Sequence, residues 1–199
     1  MAETDNTTTL KSGITNSPFV GVEGLHIAKM LTDAEGSTAT YDSPISFPWL
    51  NEMQIKPTSS QEKLYGDNMA VATATTMSEI ALTVTTDSMP LEYKALLFGH
   101  KYENGKITVN KDDVAPYFAL MFASTKANGK KRFVKFYKVQ FTEPDEKSKT
   151  KEGKITFNTM QFAGTAIYRT SDGNIYAQAD EEAEGYTAEL GTAWFTKVD

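Results

Sequence analysis

With 199 residues, 40% of them hydrophobic, and a net charge of −6, the chain has the length for one domain with a sizeable core, or one domain with long arms. The absence of cysteine excludes a disulfide framework and thiolate chemistry. No apolar run approaches the ~20 residues needed to cross a bilayer and no basic-then-apolar leader opens the sequence, so the expectation is a soluble product kept on the side of the membrane where it is made.

Charge is unevenly placed: residues 1–86 carry ten acids against four bases, residues 87–170 nine against fifteen, and residues 171–199 seven against one. Such blocks are either ordinary solvated faces or complementary surfaces, the middle of one copy meeting the ends of another.

Residues 1–18 are polar and Thr-rich and are expected to form a flexible N-terminal arm, since they bury too little to offset their ordering entropy. Phe19 to Leu31 reads as a long strand, with Gly21 and Gly24 marking a bulge or a close approach. Residues 32–50 have turn composition and end in Phe47-Pro48-Trp49-Leu50. A loop of that length has a purpose. Its aromatic end is expected either to close the chain's own core or to bridge to a neighbouring copy.

Glu52 to Thr58 alternates, with Met53 and Ile55 on one side and Glu52, Gln54 and Lys56 on the other. A turn is expected over Leu64 to Asn68, then strands over Met69–Thr76 and Ser78–Thr86, the last with Ile80, Leu82 and Val84 inward. These read as half-buried antiparallel strands with one polar face. One helix is predicted, over about residues 88–98: Asp87 or Ser88 to cap it, Pro90 in its first turn, Glu92 near its positive end and Gly99 to stop it.

Asn104-Gly105 and Asn128-Gly129 are both hairpin signals, because each pair tolerates the positive φ of a type I′ turn. For the second hairpin, the centre of the fold, Phe118 is expected opposite Val139, Leu120 opposite Tyr137, Phe122 opposite Lys135 and Ser124 opposite Phe133. Met121 should face Phe136 and Ala123 should face Val134, with Lys135 and Lys138 near an edge or snorkelling outward. Residues 142–154 read as a charged loop, Lys154–Thr170 as a strand with a bulge near Asn158 or Thr159, and Asp180 to Glu184 as an acidic surface patch. Residues 181–199 are expected to form a C-terminal arm whose Trp194-Phe195 docks on something.

The residues for catalysis are not grouped. His26 and His100, the two histidines, share no metal-like spacing, and there is no nucleophile elbow, P-loop or dinucleotide fingerprint. Asp112-Asp113 and Asp180-Glu181-Glu182 are bare carboxylate runs and read as solvated. Bases and aromatics interleave from Lys126 to Lys138, a pattern that can stack single-stranded nucleic acid, but here the aromatics pair within the hairpin and core packing is the preferred reading. No enzyme, cofactor or metal is expected.

Five stretches carry a family likeness: G-L-H-I-A-K-M-L (24–31), E-I-A-L-T-V (79–84), L-E-Y-K-A-L-L-F-G-H-K (91–101), A-P-Y-F-A-L-M-F (115–122) and F-V-K-F-Y-K-V-Q-F with its charged loop and return strand (133–157). Together they resemble the major tail (tail tube) proteins of long, non-contractile-tailed bacteriophages of Gram-positive bacteria, over roughly residues 19–180. The resemblance implies a mainly β protein, an antiparallel β-sandwich or barrel with one flanking helix and extended N- and C-terminal arms. It also implies six copies per ring, rings stacked into a tube in the virion tail, assembly in the host cytoplasm, and tape-measure, tail-terminator and distal tail proteins as neighbours. DNA would pass through without sequence-specific binding. Phage-like bacteriocins and contractile tails contain relatives.

A closed barrel wide enough for duplex DNA needs more strands than the 16–18 of a water-filled porin, so several copies must contribute. On this reading Phe47, Pro48, Trp49, Leu50, Trp194 and Phe195 are candidate subunit-interface residues, and Glu52, Gln54 and Glu79 are candidates for the lumen. The rival reading is a monomeric β-sandwich binding module for carbohydrate or a receptor on a virion or cell surface, which predicts a concave patch of exposed aromatics.

Overall fold

The computed structural model describes residues 17–66, 69–146 and 159–199. In chain order it contains β1 (Phe19–Thr32), β2 (Thr40–Tyr41), β3 (Ile45–Ser46), β4 (Leu50–Gly66), β5 (Met69–Thr86), α1 (Leu91–Phe98), β6 (Lys101–Glu103), β7 (Lys106–Thr108), β8 (Tyr117–Lys126), β9 (Lys131–Thr142), β10 (Met160–Ala166), β11 (Tyr176–Asp180) and α2 (Ala188–Ala193). The protein is mainly β, as its alternating patterns predict, with two short helices where one was expected. The bulge expected near Asn158 or Thr159 falls at the margin of the described residues.

One antiparallel sheet runs β2-β1-β8-β9-β10-β5-β4, with β3 added to β1 and β11 to β9. It curls until β1 and β4 touch. Its concave side holds the main core: Leu25 and Ile27 from β1, Leu82 and Val84 from β5, Phe118 and Leu120 from β8, with Leu97 and Phe98 of α1 set against them. Phe47 enters the same core, its ring 5.8 Å from Phe162 and edge-on to Tyr93 at 4.8 Å.

The two Asn-Gly pairs turn differently. Asn104 (φ 53) and Gly105 (φ 76) both take the left-handed region and join β6 to β7 by the expected two-residue turn. At Asn128-Gly129 only the glycine has positive φ (80°); the Gly129 N–H reaches the Lys126 carbonyl and the Lys126 N–H reaches the Lys130 carbonyl. That is a three-residue loop, a turn closed by a left-handed glycine. The register therefore departs from the expected one. Phe118 faces Val139, but after a bulge Leu120 faces Phe136, Met121 faces Lys135 and Ala123 faces Phe133. Phe133 and Lys135 thus share the convex face with Met121 and Ala123.

In β1 the bulge falls at Gly24 (φ 68), between Glu23 and His26, and the glycine also permits a close approach: a Cβ there would lie 3.5 Å from the Phe195 ring. Helix α1 starts later than its sequence suggests, with Pro90 at the N-cap position and no side-chain cap, so Asp87 and Ser88 do not cap it. Gly99 (φ 74) ends it as expected.

The C-terminal segment is folded back rather than extended. The convex face of β1, β8 and the first half of β9 is apolar, and Trp194 (6% exposed) covers it together with Tyr186, Phe195 and Val198. The Trp194 Nε1–H donates to the Val134 carbonyl at 3.4 Å, and Phe195 stacks on His26 at 4.7 Å.

Candidate functional site

β4 and β5 pair over their full lengths, 17 and 18 residues, where the sequence suggested three separate strands and a turn. Asp67 and Asn68 of that turn lie outside the described residues. Near the body β10 supports the pair, but its last partner is Ile80. Beyond Thr58 and Glu79 the register slips by one at Ser78, Tyr168 donates to the Met77 carbonyl, and among the described residues the two strands continue with no third strand beside them. The described side chains of this ribbon are exposed from Ser59 to Lys63 and, among β5 residues, at Met69 and from Val71 to Thr76; Met69 is 68% and Val71 61% exposed. Pro57 is tolerated because β4 is an edge strand.

Where the ribbon joins the body, the chain has a second surface. Thr83, Thr85 and Ala81 of β5 face Gln54, Glu52 and Lys56 of β4 on one side, and Ala163, Gln161 and Thr165 of β10 on the other. Glu79 and Thr58 extend the same face one pair outward, and Gln140 and Thr142 of β9 complete it. Glu52, Gln54 and Glu79 therefore lie on a single strip. Every one of these side chains is exposed or half-exposed. The opposite side of the same strands carries Ile80, Leu82, Val84 and Phe162 into the core. The exposed strip is built from Thr, Gln and Ala with few charges and no aromatic.

Trp49 stands just before β4 with φ 56 and 59% exposure. A bulky side chain in the left-handed region is a strained exception, and here the strain sits on an exposed ring. Its four-residue neighbourhood divides: Phe47 is buried in the core, Pro48 and Leu50 are half-buried and Trp49 is exposed. Trp194 is likewise spent on the chain's own sheet and Phe195 partly so. Phe47 and Trp194 each fill an apolar site of their own subunit.

A third feature was misassigned by the sequence pattern. The bases of the central hairpin meet the acidic end within one molecule. Lys126, 1% exposed at its side chain, binds Asp180 at 2.7 Å and Glu182. Arg132 donates to Asp180 at 2.8 Å, and Lys135, itself buried, reaches Asp199 at 2.6 Å with its ammonium 4.7 Å above the Trp194 ring. Asp180 and Glu182 are thus ion-pair partners rather than a solvated patch. Burial would raise the Asp180 carboxyl, but hydrogen bonds from Lys126, the Glu182 N–H and Arg132 together hold it low. Lys135 and Lys138 face inward to carboxylates instead of outward; Lys138 lies 2.6 Å from Asp33.

Among the described residues no group of three or more His, Cys, Asp or Glu could hold a metal ion, and no helix is long and apolar enough to cross a membrane. The exposed features of the chain are a ribbon, a strained tryptophan and a polar strip. A family model of the phage tail tube protein matches residues 57–192, from within β4 to within α2. The chain belongs to the phage tail tube family. This tail tube protein is therefore a structural component of the phage tail. Comparison with curated proteins finds no match for the chain.

Proposed function

We propose that copies of this tail tube protein join side by side into a ring of six, and that the rings stack into the tail tube through which the genome leaves the virion for the host. One observation carries the reading: beyond Met77 and Thr58 the β4–β5 ribbon runs on with no third strand among the described residues, and its described side chains are exposed. A two-stranded hairpin is marginal in water on its own, so a ribbon this long needs a neighbour. A head-to-tail contact of this kind closes into a ring or continues as a filament.

The polar strip bearing Glu52, Gln54 and Glu79 is the face we assign to the lumen. Four strands of one chain carry it, so six copies would line the bore with about 24 strands, beyond the 16–18 of a water-filled porin. Phosphates are gripped by lysine and arginine through counterion release; a strip of Thr, Gln and Ala with more acid than base offers no such grip and lets DNA slide. Trp49, flanked by Pro48 and Leu50, is assigned to the contact between subunits. The tape-measure protein would occupy the bore, and terminator and distal tail proteins the two ends.

Negative-stain imaging and size-exclusion chromatography of the purified chain over rising concentration test the reading. Rings or tubes with an open bore are expected. A protein that stays monomeric at millimolar concentration would overturn it and favour the surface-binding module.

A further inference from the structure

His100 follows the end of α1, and its side chain is 6% exposed. Its Nδ1 lies 2.8 Å from the Asp113 carboxylate, which also accepts the Asn110 N–H at 2.8 Å. A carboxylate only accepts, so Nδ1 carries the hydrogen of the neutral ring and Nε2 is left as a bare lone pair. That Nε2 is buried and has no hydrogen-bond partner. Opposite it, 3.6 Å away, is the second acceptor of the pair, Oε2 of Glu143. Two acceptors face each other where a donor belongs, and a buried polar atom left unpaired calls for an explanation.

Glu143 stands at the root of the connection from β9 to β10. Its other oxygen is held by Lys94 of α1 at 3.1 Å, and the same ammonium holds Glu146 at 2.7 Å. Hydrogen bonding to Glu146, then to Glu143, keeps the Lys94 ammonium charged. The Asp113 carboxyl is held low first by the Asn110 N–H and then by His100, so it stays an acceptor. The groups that face the imidazole are therefore Asp113 from the turn after β7 and Glu143 after β9, with Lys94 and Glu146 one step further. Lys101 and Glu103 of β6 pair with each other at the surface. Gly99 fixes the geometry: a Cβ there would sit 2.2 Å from the Val114 carbonyl oxygen, so the end of α1 is pressed against the 110–115 segment.

We infer that His100 is a proton-operated latch between α1 and the start of the β9–β10 connection, open when the ring is neutral and closed when Nε2 takes a proton and donates it to Glu143. Imidazole is the side chain whose unperturbed charge change falls between about pH 5 and 8, which sets the range over which the latch is tested. Closing it replaces an acceptor–acceptor contact by a charge-assisted hydrogen bond, adding a second tie to the one Lys94 makes.

Hydrogen–deuterium exchange with mass spectrometry, on the full chain in whatever state of assembly it adopts, tests this. Exchange at the histidine C2 position reports the His100 titration, and backbone exchange of a peptide covering residues 142–146, corrected for intrinsic rate, reports the latch. As pH falls from 8 to 5.5, protection of that peptide is expected to rise by about tenfold, the size of one hydrogen bond to a charged group, in step with His100. In Glu143→Gln the amide can donate to the neutral ring, so protection should become independent of pH. His100→Gln should flatten it as well; should that variant fail to fold, Glu143→Gln, at a half-exposed side chain, keeps the test in hand. Wild-type protection that ignores the His100 titration, or a pH slope that survives in Glu143→Gln, overturns the latch.

Discussion

The ammonium of Lys126 lies 2.7 Å from the Asp180 carboxylate in a site where Lys126 has almost no contact with water. Glu182 shares the same cation, so one buried lysine joins two carboxylates. Lys126→Met should leave Glu182 without its cation and Asp180 with Arg132 alone, and cost about 3 kcal/mol, read from the urea midpoint at neutral pH. The same variant in an Asp180→Asn, Glu182→Gln background should lose far less, because no carboxylate is left there without its lysine.

Asp33 accepts from Lys138 and from the backbone N–H groups of Thr170 and Ser171. Burial pushes its carboxyl upward, but these three donors outweigh it and hold the group well below the usual carboxylate range. Its folded pKa is depressed, so the stability it contributes is complete above the unfolded value of about 4 and is lost as pH falls through the folded value. Asp33→Asn should therefore cost about 3 kcal/mol at pH 7, with the gap to wild type narrowing below about pH 4 in acid-unfolding curves.

Trp49 and Trp194 should behave as opposites. Trp194→Ala removes the cover of the convex face and should cost about 3 kcal/mol in the isolated subunit. Trp49→Gly relieves a positive φ and should raise subunit stability by up to about 1 kcal/mol, while raising the concentration needed for assembly. Thermal melts and sedimentation on the same samples separate the two effects.

The lumen assignment makes a charge prediction. Gln161→Lys and Gln54→Lys, both exposed on the polar strip, should leave tubes intact, since exposed substitutions change stability by about 0.5 kcal/mol or less. Virions carrying both should eject DNA more slowly, with the delay shrinking as salt rises. Equal ejection rates at low salt would count against the strip as the bore.

Gly99→Ala should be severe. The position needs φ 74 and has no room for a methyl group beside the Val114 carbonyl, so strain and clash add to more than about 2 kcal/mol in thermal melts.

Strand content was legible because Ile80, Leu82 and Val84 alternate with polar neighbours, and that same alternation placed Glu52 and Gln54 together on the opposite side. The ribbon was not. Alanine and threonine from Ala70 to Thr76 carry no periodic contrast, so nothing in that run shows that it continues the strand that follows. The central register was missed for a different reason: Asn-Gly favours two loop designs, and the spacing of Lys126 and Lys130 around Gly129 selects the three-residue one. Complementary charge between the middle and the end of the chain was visible. Whether it joined one molecule or two depended on the Ala28, Ala119 and Ala123 surface, whose small side chains give little sign that Trp194 needs it.

Beyond Thr58 and Glu79 the described part of the ribbon has no third strand, so in a lone subunit its two outer margins hold open main-chain donors and acceptors, apart from the Met77 carbonyl, which accepts from Tyr168. Open margins accept any strand of suitable length, so a crowded pool of free subunits would clump as readily as it would polymerise in order. A template that starts growth at one end, and a low standing supply of unpolymerised chains, would turn that hazard into directional elongation.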